Sequence, residues 1–401
     1  MSAGTLTPTT PGKRAPRLRI NLRQYGILAA LAIIIILFEI LTGGRLLMPG
    51  NVNNLIQQNA YVLILAIGMV MVIIAGHIDL SVGSVVAMVG AIAALAMNSW
   101  GLPWGAALIV ALLTGAVVGA WQGFWIAFVG IPAFIVTLAG MLIFRGFTLV
   151  LLTGGTISGL PDPFTAIGAG WIPSFLGGIL YRDTFTLLLG VVAAVLLILQ
   201  QVKARTNLRK LDLPRELAGS FIAKLAVAAA AILALSWLLA GYSGTPIILI
   251  ILAVLILGYS YVLSRSVFGR HIYAMGGNLF AAEMSGVRTK WVNFFIFVNM
   301  GVLAAIAGVV STARAGSAVA AAGQNYELDA IAAVFIGGAA VQGGVGTVVG
   351  AVIGGLVMGV LNMGLSILSV DAAWQMAIKG FVLLLAVAFD IFNKRRSGGR
   401  A

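Results

Sequence analysis

A dozen apolar segments, several running for roughly 17 to 22 residues without a charge, constrain this chain more than any other feature. That is the length over which an α-helix crosses a hydrocarbon layer of about 30 Å. The segments fall near 25–42, 61–75, 82–98, 105–128, 131–151, 184–202, 223–241, 246–263, 292–310, 329–344, 347–368 and 373–392. Composition agrees: 61% of residues are hydrophobic and 9% charged, against about 25% charged in a soluble domain. No water-soluble fold hides so much apolar surface. The expected fold is an all-α, polytopic membrane bundle of about 10–12 transmembrane helices, some of them broken, with lipid as its main surrounding.

Lysine and arginine total 24 against 11 acids, a net +13 that in a soluble protein would suggest nucleic acid as a partner. Here the charge is clustered between apolar segments instead. Lys13, Arg14, Arg17, Arg19 and Arg23 precede the first segment, and Lys203, Arg205, Arg209, Lys210 and Arg215 fill one insert. A third cluster lies between Arg265 and Lys290, and a fourth is Lys394, Arg395, Arg396 and Arg400. Strict alternation across a membrane puts all four on one side, as the positive-inside bias requires, so both termini are expected in the cytoplasm and no nucleic-acid partner is inferred. The chain divides accordingly into a basic tail, 1–24, a transmembrane region, 25–392, with inserts at 203–222 and 264–290, and a second basic tail, 393–401. The run from about Tyr25 to Leu41 exceeds a secretory core, and Gly43-Gly44-Arg45 makes a poor cleavage site, so it reads as a retained first helix.

With no cysteine and two histidines, disulfides and thiolate chemistry are excluded and a metal site has little to draw on. Glycine, at 51 residues, is placed within apolar runs, where small residues let helices approach closely in lipid or give a flexible joint. Two stretches resemble each other. Ile74-Ala75-Gly76 leads to Val82-Gly83-Ser84-Val85-Val86, and Ile336-Gly337-Gly338 leads to Val345-Gly346-Thr347-Val348-Val349. Repetition with interrupted helices is a transporter pattern, in which the breaks line the substrate route. A ten-helix variant, with 76–82 and 343–346 as breaks within dipping segments, keeps the same sidedness.

Asp79 stands inside the first break, where an unpartnered charge would cost several kcal/mol. Two compatible readings follow: Asp79 or Ser81 caps the helix that starts near Val82, or the same helix end faces a pore and touches substrate hydroxyls. Other intramembrane ionisable residues, Glu39, Arg145, Lys379 and Asp390, are scattered and read as structural rather than as an ion relay. Trp100, Trp104, Trp171 and Trp237 fall near expected interfaces, whereas Trp121 and Trp125 lie deeper and either pack or stack on a sugar ring. In the third basic cluster, Asn278 can cap a short helix that Gly286 ends, suited to a groove on a soluble partner. No Gly-x-x-x-x-Gly-Lys-[Ser/Thr] loop occurs, and no nucleophile, base and anion-stabilising set is visible, so neither an ATPase nor another enzyme is expected.

Together, Ile78-Asp79-Leu80-Ser81-Val82-Gly83-Ser84, Phe134-Ile135-Val136-Thr137-Leu138-Ala139-Gly140-Met141, the Gly269 to Gly286 segment, and Ile336-Gly337-Gly338 through Val349 resemble the monosaccharide permeases of bacterial ABC importers. The insert near 203–222 and Glu327-Leu328-Asp329-Ala330-Ile331-Ala332-Ala333 are most similar to the xylose type. The resemblance implies an inner-membrane homodimer with one sugar pathway, a cytoplasmic sugar ABC ATPase holding the ATP and Mg2+, and a periplasmic sugar-binding protein; the chain itself would carry no cofactor. It further implies a pathway near Asp79, Ser81, Trp121, Phe134 and Thr137. The implied coupling helix draws on Gly276, Gly277, Asn278, Ala281, Ala282, Glu283, Ser285 and Gly286. His77 departs from the glycine, alanine or glutamate of many relatives, which leaves its role open. Ribose, arabinose or galactose remain alternative cargoes, and an ion-driven sugar carrier or a non-transporting scaffold alternative classes.

Overall fold

The computed structural model describes residues 22–211 and 217–398, with the side chains of 22–25 and 389–398 outside the description. The expected tail 1–24 therefore lies almost wholly outside the described residues, as do Arg215 and the Asp390 side chain, whereas 393–398 of the second tail continue α15. Fifteen α-helices are present among the described residues: α1 Leu22–Leu41, α2 Pro49–Ile74, α3 Val82–Asn98, α4 Trp104–Phe124, α5 Ala133–Leu152, α6 Asp162–Ala169, α7 Thr184–Lys210, α8 Ala218–Ala240, α9 Ile247–Arg265, α10 Val267–Gly277, α11 Leu279–Met284, α12 Thr289–Ala315, α13 Tyr326–Ile336, α14 Val348–Ile367 and α15 Ala372–Gly398. A π-helical turn, Trp125–Val129, extends α4. Among the described residues, eight helices are long and apolar enough to cross a membrane: α2, α4 with its π turn, α5, α7, α8, α9, α12 and α14. Shorter apolar stretches lie in α1, α3 and α15. The 11 residues of α13 rise only about 16 Å, roughly half a hydrocarbon layer, so this helix is a half-span.

Two expected boundaries are corrected. The second helix begins at Pro49, about three turns before residue 61, because the amide-rich stretch that reads as a loop is helical and buried. Asn53 Oδ1 accepts a hydrogen bond from Trp171 Nε1 at 3.0 Å, and Gln57 Nε2 donates to the Ala169 carbonyl at 3.2 Å, so these two atoms find partners within the protein. At the other end of the chain's middle, α7 runs on through Lys210, turning the first part of the 203–222 insert into a helical extension with Arg209 and Lys210 in its last turn.

The centre of the bundle is α2, 89% of whose apolar window is buried, with α14 and α12 around it; α8, at 6%, lies on the flank beside α7. Hydropathy cannot make this distinction, since both kinds of helix are apolar. Gly115 and Gly119 of α4 meet Gly301 of α12 backbone to backbone, the close approach that drives helix association in lipid. One end of the bundle gathers the loops 42–48, 153–183, 241–246 and 316–325. There strand β1 (Thr156–Ser158) pairs antiparallel with β2 (Ser317–Val319), and Trp171 bridges to Pro246. At the opposite, basic end, α10 and α11 sit beside the breaks that follow α2 and α13.

Candidate functional site

Both interrupted helices break where the sequence repetition falls, between Ile74 and Val82 and between Ile336 and Val348. In the first joint Asp79, 3% exposed, folds back on its own backbone: its Oδ1 accepts from Ser81 N at 2.9 Å and from Ser81 Oγ at 2.7 Å. This is a local turn in which the carboxylate serves the chain two residues on. It is not the expected cap, because neither side chain bonds the free amides of α3. Ser81 has φ −88° and ψ −15°, already helical, and its hydroxyl is committed to Asp79. Gln122 of α4 donates to that hydroxyl at 2.6 Å, and Thr137 of α5 approaches the Ile78 carbonyl at 3.4 Å. The joint also lies against the loop before α13: a side chain on Gly83 would stand 2.2 Å from the Gly323 carbonyl, so only glycine fits. Arg145 holds that loop by donating to Ala320 and Ala322 carbonyls at 2.9 and 2.7 Å.

The second joint is held mainly by backbone. Gly344 N donates to the Ile74 carbonyl at 2.8 Å, tying the break after α13 to the end of α2. Tyr273 of α10 donates to the Gly346 carbonyl at 2.6 Å, and Thr347 caps α14 by accepting from Gly350 N at 3.0 Å. Gly276 closes the contact. A Cβ there would lie 1.7 Å from the Ile74 carbonyl oxygen and 2.6 Å from Gly344 N. Two helix breaks and the 264–290 segment thus meet at one point with no room for a side chain.

A family model described as the permease component of the branched-chain amino acid transport system matches residues 51–387. The chain belongs to this permease family. The xylose transport system permease protein of Haemophilus influenzae is 41% identical over 377 residues, covering 94% of this chain and 98% of its own length. That of Escherichia coli K12 is 39% identical over 378 residues, 94% of each chain. The ribose import permease protein of Bacillus subtilis is 36% identical over 371 residues, 92% of this chain and 93% of its own. No solved structure matches the chain. With its eight long apolar helices, the permease is a multi-pass membrane protein.

Of the pathway residues expected from sequence, the permease brings Asp79, Ser81 and Thr137 together and adds Gln122, whose single amide in an apolar helix was the available signal. Phe134 instead faces outward, 56% exposed. Trp121 lines an apolar groove of about 590 Å3 between α4 and α5, edge-on to Phe144 at 5.8 Å. His77 meets Asn293 at 3.1 Å.

In the 264–290 segment, Asn278 Oδ1 accepts from Ala281 N at 2.9 Å and caps α11, which ends before Gly286 at φ +83°. Gly276 is packed inside, Gly277 closes α10, and Ala282 is buried beneath α11. Ala281 and Ser285 are exposed and bonded to each other through the Ser285 hydroxyl at 2.8 Å, while Glu283 accepts from Thr289 at 2.9 Å. Sequence reasoning passed over Leu279, Phe280 and Met284, which are 51%, 70% and 70% exposed on this six-residue helix.

Proposed function

We propose that this chain is the xylose-conducting permease subunit of an ATP-driven importer, working as a homodimer with the basic end in the cytoplasm. The observation that carries the reading is the identity of 39–41% with two xylose permeases along 94% of the chain, above the 32–36% of three ribose permeases. A separate ATPase docks on α11 through Phe280, Leu279 and Met284. Apolar side chains standing in water at a polar membrane face are suited to a groove on a soluble partner. A periplasmic sugar-binding protein delivers cargo at the opposite end.

In this mechanism ATP closes the motor and moves α10 and α11. Because Gly276 touches both helix breaks directly and Tyr273 holds the second, the displacement passes to α2–α3 and α13–α14 together, and access switches from one side to the other. The buried turn at Asp79 keeps the first joint a defined shape while it moves.

The test is uptake by proteoliposomes holding the permease with its cognate ATPase and binding protein. Xylose should accumulate only with ATP, and collapse of proton and sodium gradients should leave the rate unchanged. Gradient-driven uptake by the permease alone would overturn the reading, and preferential uptake of ribose would reassign the cargo. Sidedness is read separately. The chain has no cysteine, so single cysteines at Ser266 and Ser317 should label from the cytoplasmic and periplasmic faces respectively.

A further inference from the structure

At the end away from the basic segment, a cavity of about 290 Å3 opens among the first half of α2, the last turns of α12 and α14, the start of α13 and the first turns of α15. Its walls are unlike the rest of the bundle. Asn59, Asn362, Gln375, Arg314 and Ser366 all face it, although four of the five sit in helices that are otherwise apolar. Asn362 Nδ2 donates to Asn59 Oδ1 at 3.3 Å, which leaves the buried Asn362 Oδ1 with no donor among the described residues. Arg314 Nε likewise finds no acceptor. A buried acceptor and a buried donor left open on one cavity favour a ligand whose groups both donate and accept.

The floor is specific too. Tyr61 and Tyr326 stack at 3.5 Å with 15° between planes, and Tyr61 donates to Asp329 Oδ2 at 2.9 Å. Lys379 pairs with Asp329 at 3.2 Å, so the carboxylate beneath the cavity is already neutralised. We propose that this cavity is a sugar-binding subsite, where a neutral, hydroxyl-rich ring is held by the amides of Asn59, Asn362 and Gln375 and by the Arg314 guanidinium. The inference rests on the sugar-permease reading and gives that pathway its outer waypoint. The volume is just under the roughly 300–1,000 Å3 of pockets for drug-sized ligands, which suits one monosaccharide.

The floor also connects the subsite to the motor. Tyr326 and Asp329 stand in the first turn of α13, and the other end of the same short helix leads into the break that touches Ile74 and Tyr273. A half-span tied at one end to the docking segment and at the other to the cavity floor moves the floor whenever the docking segment moves.

Two measurements on the assembled importer test the subsite. Asn362→Leu in proteoliposomes should lower xylose uptake about tenfold, while ATPase activity stimulated by the loaded binding protein stays within about twofold of the parent. Should that variant fail to assemble, Ser366→Cys at the mouth, in a chain otherwise free of cysteine, serves instead. A membrane-impermeant thiol reagent applied from the periplasmic side should label it, and xylose, but not mannitol at equal osmolarity, should slow labelling at least threefold. Unchanged uptake in Asn362→Leu, or labelling indifferent to xylose while the parent importer still transports xylose, overturns the subsite alone. A parent importer that moves neither xylose nor ribose, or protection by leucine in place of either sugar, overturns the sugar reading and the subsite with it.

Discussion

The two helix breaks resemble each other in sequence and differ in how they are held. The first follows α2, a full 26-residue span, and is fixed by side chains: Asp79 on Ser81, Gln122 on Ser81, and Thr137 near Ile78. The second follows α13, an 11-residue half-span, and is fixed by backbone contact with Ile74, Gly276 and the Tyr273 hydroxyl. Side-chain hydrogen bonds specify one local shape. Backbone contact across three elements passes displacement from one to the next, since a packed junction has no slack to absorb it. The first joint is therefore a fixture and the second a transmission.

The largest effect should come from breaking the transmission. Gly276→Val places branched carbon where a carbonyl oxygen and an amide already stand, and it should cut ATP-driven uptake roughly 100-fold or more, since overpacking at a rigid contact costs about 1–3 kcal/mol or above. Basal ATPase activity of the complex is the control: uptake lost with hydrolysis retained marks uncoupling. Normal uptake would remove Gly276 from the coupling route.

Breaking the fixture should cost less. Asp79→Ala removes two hydrogen bonds to Ser81, each contributing about 0.5–1.5 kcal/mol net, and uptake should fall at least roughly tenfold. Asp79→Asn keeps an oxygen at the same place and should restore most of the rate. Normal uptake by Asp79→Ala at normal membrane abundance would show that this carboxylate neither shapes the joint nor lines the pathway.

The docking face comes next. Phe280→Asp puts a charge on the most exposed apolar surface of α11 and should weaken association with the ATPase about tenfold, the scale of losing one aromatic anchor. Co-purification in detergent at graded salt reads it directly. Undiminished assembly would move the docking site off this helix.

How far these regions could be read from sequence differs for physical reasons. The break at Ile74–Val82 was legible because glycine and polar residues interrupt an apolar run locally, and the α11 bounds followed from Asn278 and Gly286; the second break begins at Ile336, earlier than the expected 343–346, because apolar Ala339 to Val341 carry the hydropathy past the end of α13. The start of α2 was not legible, because Asn51 to Asn59 lower hydropathy whether they face water or each other. Their burial depends on Trp171 and Ala169, more than a hundred residues away. For the same reason the outer cavity was invisible. Lys379 reads as a stray charge until α13 and α15 place it 3.2 Å from Asp329. Leu279, Phe280 and Met284 were passed over because an apolar side chain in a membrane protein attracts no notice until its helix is known to stand outside the bilayer.

The smallest effect sharpens the comparison most. Tyr273→Phe removes one hydroxyl from α10 and with it the hydrogen bond to the Gly346 carbonyl, while ring packing and the Gly276 contact remain. One such bond contributes about 0.5–1.5 kcal/mol, so uptake should fall by roughly two- to tenfold, with ATPase activity unchanged. Combined with Asp79→Ala, the loss should multiply if the joints act independently and fall short of the product if they move as one unit. Because Gly344 is bonded to Ile74, the junction physically joins the two breaks, and the shortfall is the expected result. Clean multiplication would mean that the contact at Ile74 carries no displacement, and the first joint would then answer to something other than the docking segment.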